Sequence, residues 1–225
     1  MVALNKNTGA LIWSSTGEGT PSTYCSPIYI TGYSAPMVVT GTHEHILAFN
    51  ANTGEKIWSH PQLPQSPARF IHPNIPIYSN GMIFTTTGYR GGSMMLRLKD
   101  DGRAVEQVWS NEADNQIGGA VKLGDYVYTT GDGNRGFYCI EWKTGTIKYR
   151  ETGFSPSAIV AADGMLYVYS QNETMNLIKP DPNKFELVSS FKVSLGAGPI
   201  WAHPVIHEGV LYLRRGDVLM AYKVK

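Results

Sequence analysis

Short runs of apolar residues, three to five positions long, follow turns at regular intervals along the chain. Asn80-Gly81 opens Met82-Ile83-Phe84, and Gly124-Asp125 opens Tyr126-Val127-Tyr128. Asp163-Gly164 opens Met165-Leu166-Tyr167, and Glu208-Gly209 opens Val210-Leu211-Tyr212. The first apolar positions, 82, 126, 165 and 210, are 44, 39 and 45 residues apart. Runs rich in Tyr, Val, Ile and Phe and bounded by Gly, Asn and Asp predict strands rather than helices. Each unit parses into four of them. In the second unit the predicted strands are about 26–31, 36–41, 45–50 and 55–60; in the fourth they are about 118–122, 126–130, 137–142 and 146–151. No stretch reads as a convincing helix.

A second motif repeats in step with the first. Thr8-Gly9 leads to Trp13, Thr53-Gly54 to Trp58 and Thr144-Gly145 to Tyr149; a worn copy reads Asp101-Gly102 followed by Val108-Trp109. The glycines at 9, 54, 102 and 145 are 45, 48 and 43 residues apart. Asn and Thr side chains bond nearby backbone in tight turns, and glycine reaches positive φ at little cost. The motif therefore predicts a hairpin between the third and fourth strands of each unit. Its aromatic residue falls on the outer strand, where a large ring covers the joint with the neighbouring unit. Trp13, Trp58 and Trp109 are accordingly expected to be mostly buried.

A period of about 40–45 residues with several strands per unit predicts an all-β propeller of four-stranded blades. The expected division is a partial blade at 1–16, blades at about 23–60, 70–110, 117–151 and 156–193, and an incomplete last blade at 200–225. About five blades are thus accounted for. The chain opens in the middle of a repeat and ends on a third strand, Val218 to Tyr222, as expected of the C-terminal part of a longer propeller whose last blade is completed by a strand from the N-terminus. Blade edges left open would favour self-association.

The stretch from Ala48 to Trp58, Ala48-Phe49-Asn50-Ala51-Asn52-Thr53-Gly54-Glu55-Lys56-Ile57-Trp58, resembles the tryptophan-docking repeat of the pyrroloquinoline-quinone-like β-propellers. That family includes quinoprotein alcohol dehydrogenases and a non-enzymatic outer-membrane assembly lipoprotein. The resemblance implies seven or eight blades and a periplasmic or extracellular location. Asn5, Asn50 and Glu141 stand where the family most often has Asp, a change the hairpin chemistry tolerates.

Composition narrows the partners. With 19 basic and 18 acidic residues the net charge is +1, so there is no global field to steer nucleic acid or an anionic membrane. No apolar run approaches the length of a transmembrane helix, and no signal sequence is visible at the start. Cys25 and Cys139 are 114 residues apart and read as two buried free thiols.

Propeller ligands sit on the axis, held by loops entering the innermost strand and by loops joining the second and third strands. The first set includes Arg69-Phe70-Ile71-His72-Pro73 and Trp201-Ala202-His203-Pro204. The second includes Gly88-Tyr89-Arg90, Asp132-Gly133-Asn134-Arg135 and Arg214-Arg215-Gly216. The expected funnel gathers Arg90, Arg135, Arg214, His72, His203, Trp201 and Tyr89, groups suited to a small anionic or carbohydrate ligand. His43-Glu44-His45 puts two histidines on one strand face without a third ligand, so no metal site is expected. The favoured reading is a non-catalytic binding or scaffold propeller with a protein partner or a small ligand and no cofactor. The alternative is a quinone-dependent alcohol or sugar dehydrogenase, using pyrroloquinoline quinone with calcium, whose catalytic residues lie outside this stretch.

Overall fold

The computed structural model describes residues 1–62 and 73–224, which form 21 strands and a single 3₁₀ turn at Asp100–Gly102. Six antiparallel sheets follow one another along the chain. The first has two strands, β1 (Val2–Leu4) and β2 (Leu11–Ser14). Four four-stranded sheets come next: β3 (Ile28–Ile30) to β6 (Lys56–Pro61), β7 (Ile77–Ser79) to β10 (Ala104–Asn111), β11 (Ala120–Leu123) to β14 (Ile147–Glu151), and β15 (Ser157–Ala162) to β18 (Leu187–Lys192). A three-stranded sheet, β19 (Val205–His207), β20 (Val210–Arg215) and β21 (Val218–Lys223), closes the series. Within each sheet the strands lie in chain order, which makes every sheet a meander and the whole a β-propeller.

Burial explains why the inner strands read as almost continuous apolar runs. The core is a series of four layers, each pressed between two successive sheets. Val39, Ile46 and Trp58 meet Ile83, Met94 and Leu96 in one layer, and Phe84, Met95 and Trp109 meet Val127, Tyr138 and Trp142 in the next. Tyr128, Phe137 and Cys139 meet Ile159 and Val168, while Tyr169 and Met175 meet Leu211 and Met220. Neighbours in one strand therefore serve different layers: Ile83 faces the preceding sheet and Phe84 the following one. A strand buried on both faces loses the apolar–polar alternation of a half-exposed one.

The repeated turn has the local chemistry that its letters demand. Asn50 Oδ1 accepts the amides of Asn52 (2.9 Å) and Thr53 (3.3 Å), Thr53 Oγ1 accepts the Glu55 amide (3.2 Å), and the Gly54 amide closes on the Asn50 carbonyl at 2.8 Å. Asn5 repeats this set. Glu141 changes it, accepting the Thr144 hydroxyl at 2.5 Å instead.

The glycine does more than turn the chain. Trp13 donates its indole N–H to the Ala51 carbonyl at 2.9 Å, and Trp109 donates to the Trp142 carbonyl at 3.0 Å. Each ring then lies on the glycine of the next sheet's turn. A Cβ on Gly54 would come within 2.6 Å of the Trp13 ring, and one on Gly145 within 2.5 Å of the Trp109 ring. The motif is thus a lock between neighbours: the Trp belongs to one blade and its Gly seat to the following blade. The worn copy lacks the lock. Met37 and Tyr33 occupy the surface of Gly102, and the buried Trp58 indole nitrogen has no partner.

Trp58 and Trp109 are buried, but Trp13 is only half-buried, because β1 and β2 form a two-stranded sheet that covers it from one side. The expectation of two buried thiols also needs correction: Cys139 is buried and Cys25 only partly so, both free. Burial pushes the Cys139 thiol up to about 11. Thiolate is the reactive form, so alkylation of the native protein is expected to leave Cys139 unmodified, with mass spectrometry showing two adducts only after denaturation. At the ends of the series, Val2, Leu4, Leu11 and Ile12 of the first sheet and Val205 and Leu219 of the last are exposed, and β21 has no fourth strand beside it among the described residues.

Candidate functional site

One cavity of about 690 Å³ receives side chains from five successive sheets. Tyr24 precedes β3, Pro73 precedes β7, Gln116 and Ile117 precede β11, and Trp201 and His203 precede β19. Tyr89, in the β8–β9 turn, and Gln171, in the β16–β17 turn, complete the lining. Here β8 is Met82–Thr87, β9 Gly92–Lys99, β16 Met165–Ser170 and β17 Thr174–Ile178. Only where the sheets converge can loops of five of them reach one space, so this is the mouth on the propeller axis. A second cavity of about 390 Å³, lined by Ser26, Ile75, Gly118, Ala120 and Ile159, shares Pro73 and His203 with it and runs along the first strands.

Two large rings are left in water at this mouth, Trp201 at 66% exposure and Tyr24 at 80%. Tyr89 is aimed by an unusual backbone. It and Arg90 are successive non-glycine residues in the left-handed region, with φ of 56° and 66°. Such strain persists only where surroundings fix it. The fixing group is Asp114, fully buried, whose carboxylate accepts the amides of Arg90 (2.8 Å), Gly133 (2.8 Å) and Asn134 (3.0 Å). One carboxylate thus ties the β8–β9 turn to the turn between β12 (Tyr126–Gly131) and β13 (Gly136–Glu141).

Beneath Tyr89 runs a polar relay. The Gln116 amide, oriented to satisfy both neighbours, donates to the two Asp132 oxygens at 3.1 and 2.9 Å and accepts the Tyr89 hydroxyl at 2.5 Å. Burial raises the Asp132 carboxyl above the usual carboxylate range, and the Asp114 charge adds to this, against the Tyr89 amide and Arg135. Behind the relay, Asn74 and Asn115 fill the loops. Asn74 donates to the carbonyls of Thr86 (3.0 Å) and Asn115 (2.6 Å), and Asn115 donates to the Thr129 hydroxyl at 3.0 Å.

His203 is open to solvent as a residue, yet its Nε2 edge packs on Gly118, where a Cβ would come within 2.7 Å. Burial of that edge lowers its pKa from 6.5. The unfolded chain therefore binds the proton more readily, so stability is lost as pH falls below about 6.5 and is unaffected above it. Replacing His203 with Gln is expected to flatten the fall in melting temperature between about pH 7 and 5.

The residues singled out from sequence divide sharply. Tyr89, Trp201 and His203 share the cavity. Arg90, Arg135 and Arg214 are exposed and outside its described lining: the Arg214 guanidinium bonds the Gly216 carbonyl at 3.0 Å, and the Arg135 carbonyl accepts Arg150. These arginines lie on exposed turns, where water solvates a guanidinium at no cost. His72, with Arg69, Phe70 and Ile71, lies outside the described residues. His45 sits 3.6 Å from Glu18, which also pairs with Lys56, and the described residues contain no cluster of three metal-ligating side chains. Tyr24, Gln116, Gln171 and Asp114 stand outside the groups picked from sequence, and Asp132 is among them only as part of its turn. Counting back from each first strand, as the His-Pro pairs invite, marks the segments of Tyr24 and Gln116.

A family model described as outer membrane protein assembly factor BamB matches residues 1–182. The chain belongs to that family. Among solved structures, BamB from Moraxella catarrhalis superposes with a TM-score of 0.71 at 14% identity, covering 97% of this chain and 64% of that one. A quinohemoprotein alcohol dehydrogenase from Comamonas testosteroni gives 0.65 at 13% identity, with 94% and 48% covered. A functionally unknown protein from Desulfotomaculum acetoxidans gives 0.65 at 14% identity, with 99% and 75% covered. The chain thus spans less than two thirds of the first two. At these identities the likeness shows the fold alone. No curated protein matches the sequence. No helix among the described residues is long and apolar enough to cross a membrane.

Proposed function

We propose that the chain is the ligand-bearing part of a non-catalytic binding propeller, working on the periplasmic side of an outer membrane or at the cell surface, with the axial mouth as its recognition site. The observation that carries this reading is the convergence of loops from five sheets on one cavity whose rim presents Trp201 and Tyr24 to solvent. Large exposed rings at a concave site mark an interaction surface. The groups around them hold a ligand by stacking and hydrogen bonding. Membership of the BamB family supports a role in assembly, with a protein as partner.

The likeness to a quinohemoprotein dehydrogenase keeps one competitor in view. Adding pyrroloquinoline quinone and calcium to the complete protein, then separating bound from free by gel filtration, decides between the two. The binding reading expects no retained chromophore and no quinone-dependent dye reduction with alcohols or sugars. A stoichiometric chromophore that reduces dye would overturn it.

A further inference from the structure

We infer that the axial mouth is a subsite for a neutral glycan, with the apolar face of a sugar ring on Trp201 and its hydroxyls on the Tyr89, Gln116 and Gln171 side chains. This rests on the binding-propeller reading above and names its ligand class.

Three features of the lining carry the assignment. First, its aromatic surface is offered to water: four of the five tryptophans are turned inward at blade joints, while Trp201 stays 66% exposed at the rim. A pyranose ring has one face of C–H groups that packs on an aromatic face by dispersion and against the negative π-cloud. Second, the polar groups are amides and a phenol, which between them meet both needs of a sugar hydroxyl: the Gln171 amide donates and accepts, while Tyr89 and Gln116 are left to accept. The relay fixes their directions: Tyr89 gives its proton to Gln116, so the phenolic oxygen is left to accept a ligand hydroxyl, while Asp132 holds the Gln116 amide in place. Third, every described lining residue is uncharged at neutral pH, since burial keeps His203 neutral there. Among the described lining residues a carboxylate or phosphate would find no cation to repay its lost hydration.

The shape argues against an extended peptide. Peptide recognition by a sheet uses the free backbone of an edge strand, or a long aromatic groove. Here the wall is built from the side chains of loops, and the space is a pit of about 690 Å³, room for a short oligosaccharide.

The test is isothermal titration of the full chain with four probes: cellotetraose, maltotetraose, tetragalacturonate and a proline-rich decapeptide. The expected result is binding of a neutral tetrasaccharide that changes less than about twofold between roughly 50 and 500 mM salt. Trp201→Ala should weaken it about tenfold, and Gln116→Ala severalfold. Arg90→Ala should leave it unchanged. Because Trp201 is exposed, its replacement is expected to keep the wild-type melting temperature, which circular dichroism checks. Failure of both neutral sugars overturns the glycan assignment. Binding of galacturonate alone, with steep salt dependence, overturns it in favour of an anion site. Peptide binding that needs Trp201 overturns it while leaving the binding propeller intact, and no Trp201-dependent binding of any probe counts against both readings.

Discussion

Trp109→Ala is expected to lower the free energy of unfolding by about 3–5 kcal/mol, the range for truncating a large buried ring. The loss has three parts that the structure separates. The ring leaves a void against Phe84, whose centroid is 6.0 Å away. The Trp142 carbonyl loses the indole N–H that it accepts at 3.0 Å. The Gly145 turn loses the surface on which it sits. Substituting Phe isolates the second part. Trp109→Phe should cost about 1 kcal/mol more than Trp58→Phe, because the Trp58 nitrogen is buried without a partner and its removal leaves no carbonyl orphaned. The converse change, Gly145→Ala, should also be damaging: a methyl would meet the ring at 2.5 Å on a backbone with φ of 74°. Urea titrations of the four variants check the ranking. Equal costs for the two Phe variants would contradict the lock.

Asp114→Ala is expected to cost about 2–4 kcal/mol, since three amides lose a charged acceptor within a buried loop junction. Asp114→Asn keeps one accepting oxygen and should cost about half as much. The local signature is more specific than the global one. Hydrogen exchange should accelerate at Arg90, Gly133 and Asn134 before it does so at core positions such as Ile83 or Val127, because the carboxylate ties turns rather than strands. Wild-type exchange rates at those three amides in Asp114→Ala would contradict the role assigned to it.

The fold was legible because its signals are local. Asn50, Thr53 and Gly54 dictate a hairpin through bonds that span five residues, and repetition at a fixed interval turns a hairpin into a ring of blades. The second role of Gly54, as the seat of Trp13, was not legible, because ring and seat are 41 residues apart in chain and belong to different blades. The site was read only in part for the same reason. Trp201 and His203 announce themselves by type, and Tyr89 by its glycine-flanked turn. Asp114 and Gln116 look like ordinary loop residues until neighbouring blades bring Arg90, Gly133 and Asp132 to them. The arginines drew notice for their charge, yet exposed turns are where charge needs least explanation.

The five tryptophans fall into three environments. Trp58, Trp109 and Trp142 are packed between blades, Trp13 is half-covered at the first sheet, and Trp201 stands free at the axial mouth. Labelling with 5-fluorotryptophan gives each a fluorine resonance, assigned by single Trp→Phe changes. On exchange from H₂O to D₂O, the solvent-isotope shift should be largest for Trp201, intermediate for Trp13 and close to zero for the other three. A Trp201 resonance as shielded as that of Trp109, or solvent shifts of equal size across all five, would contradict this division between blade joints and an open mouth.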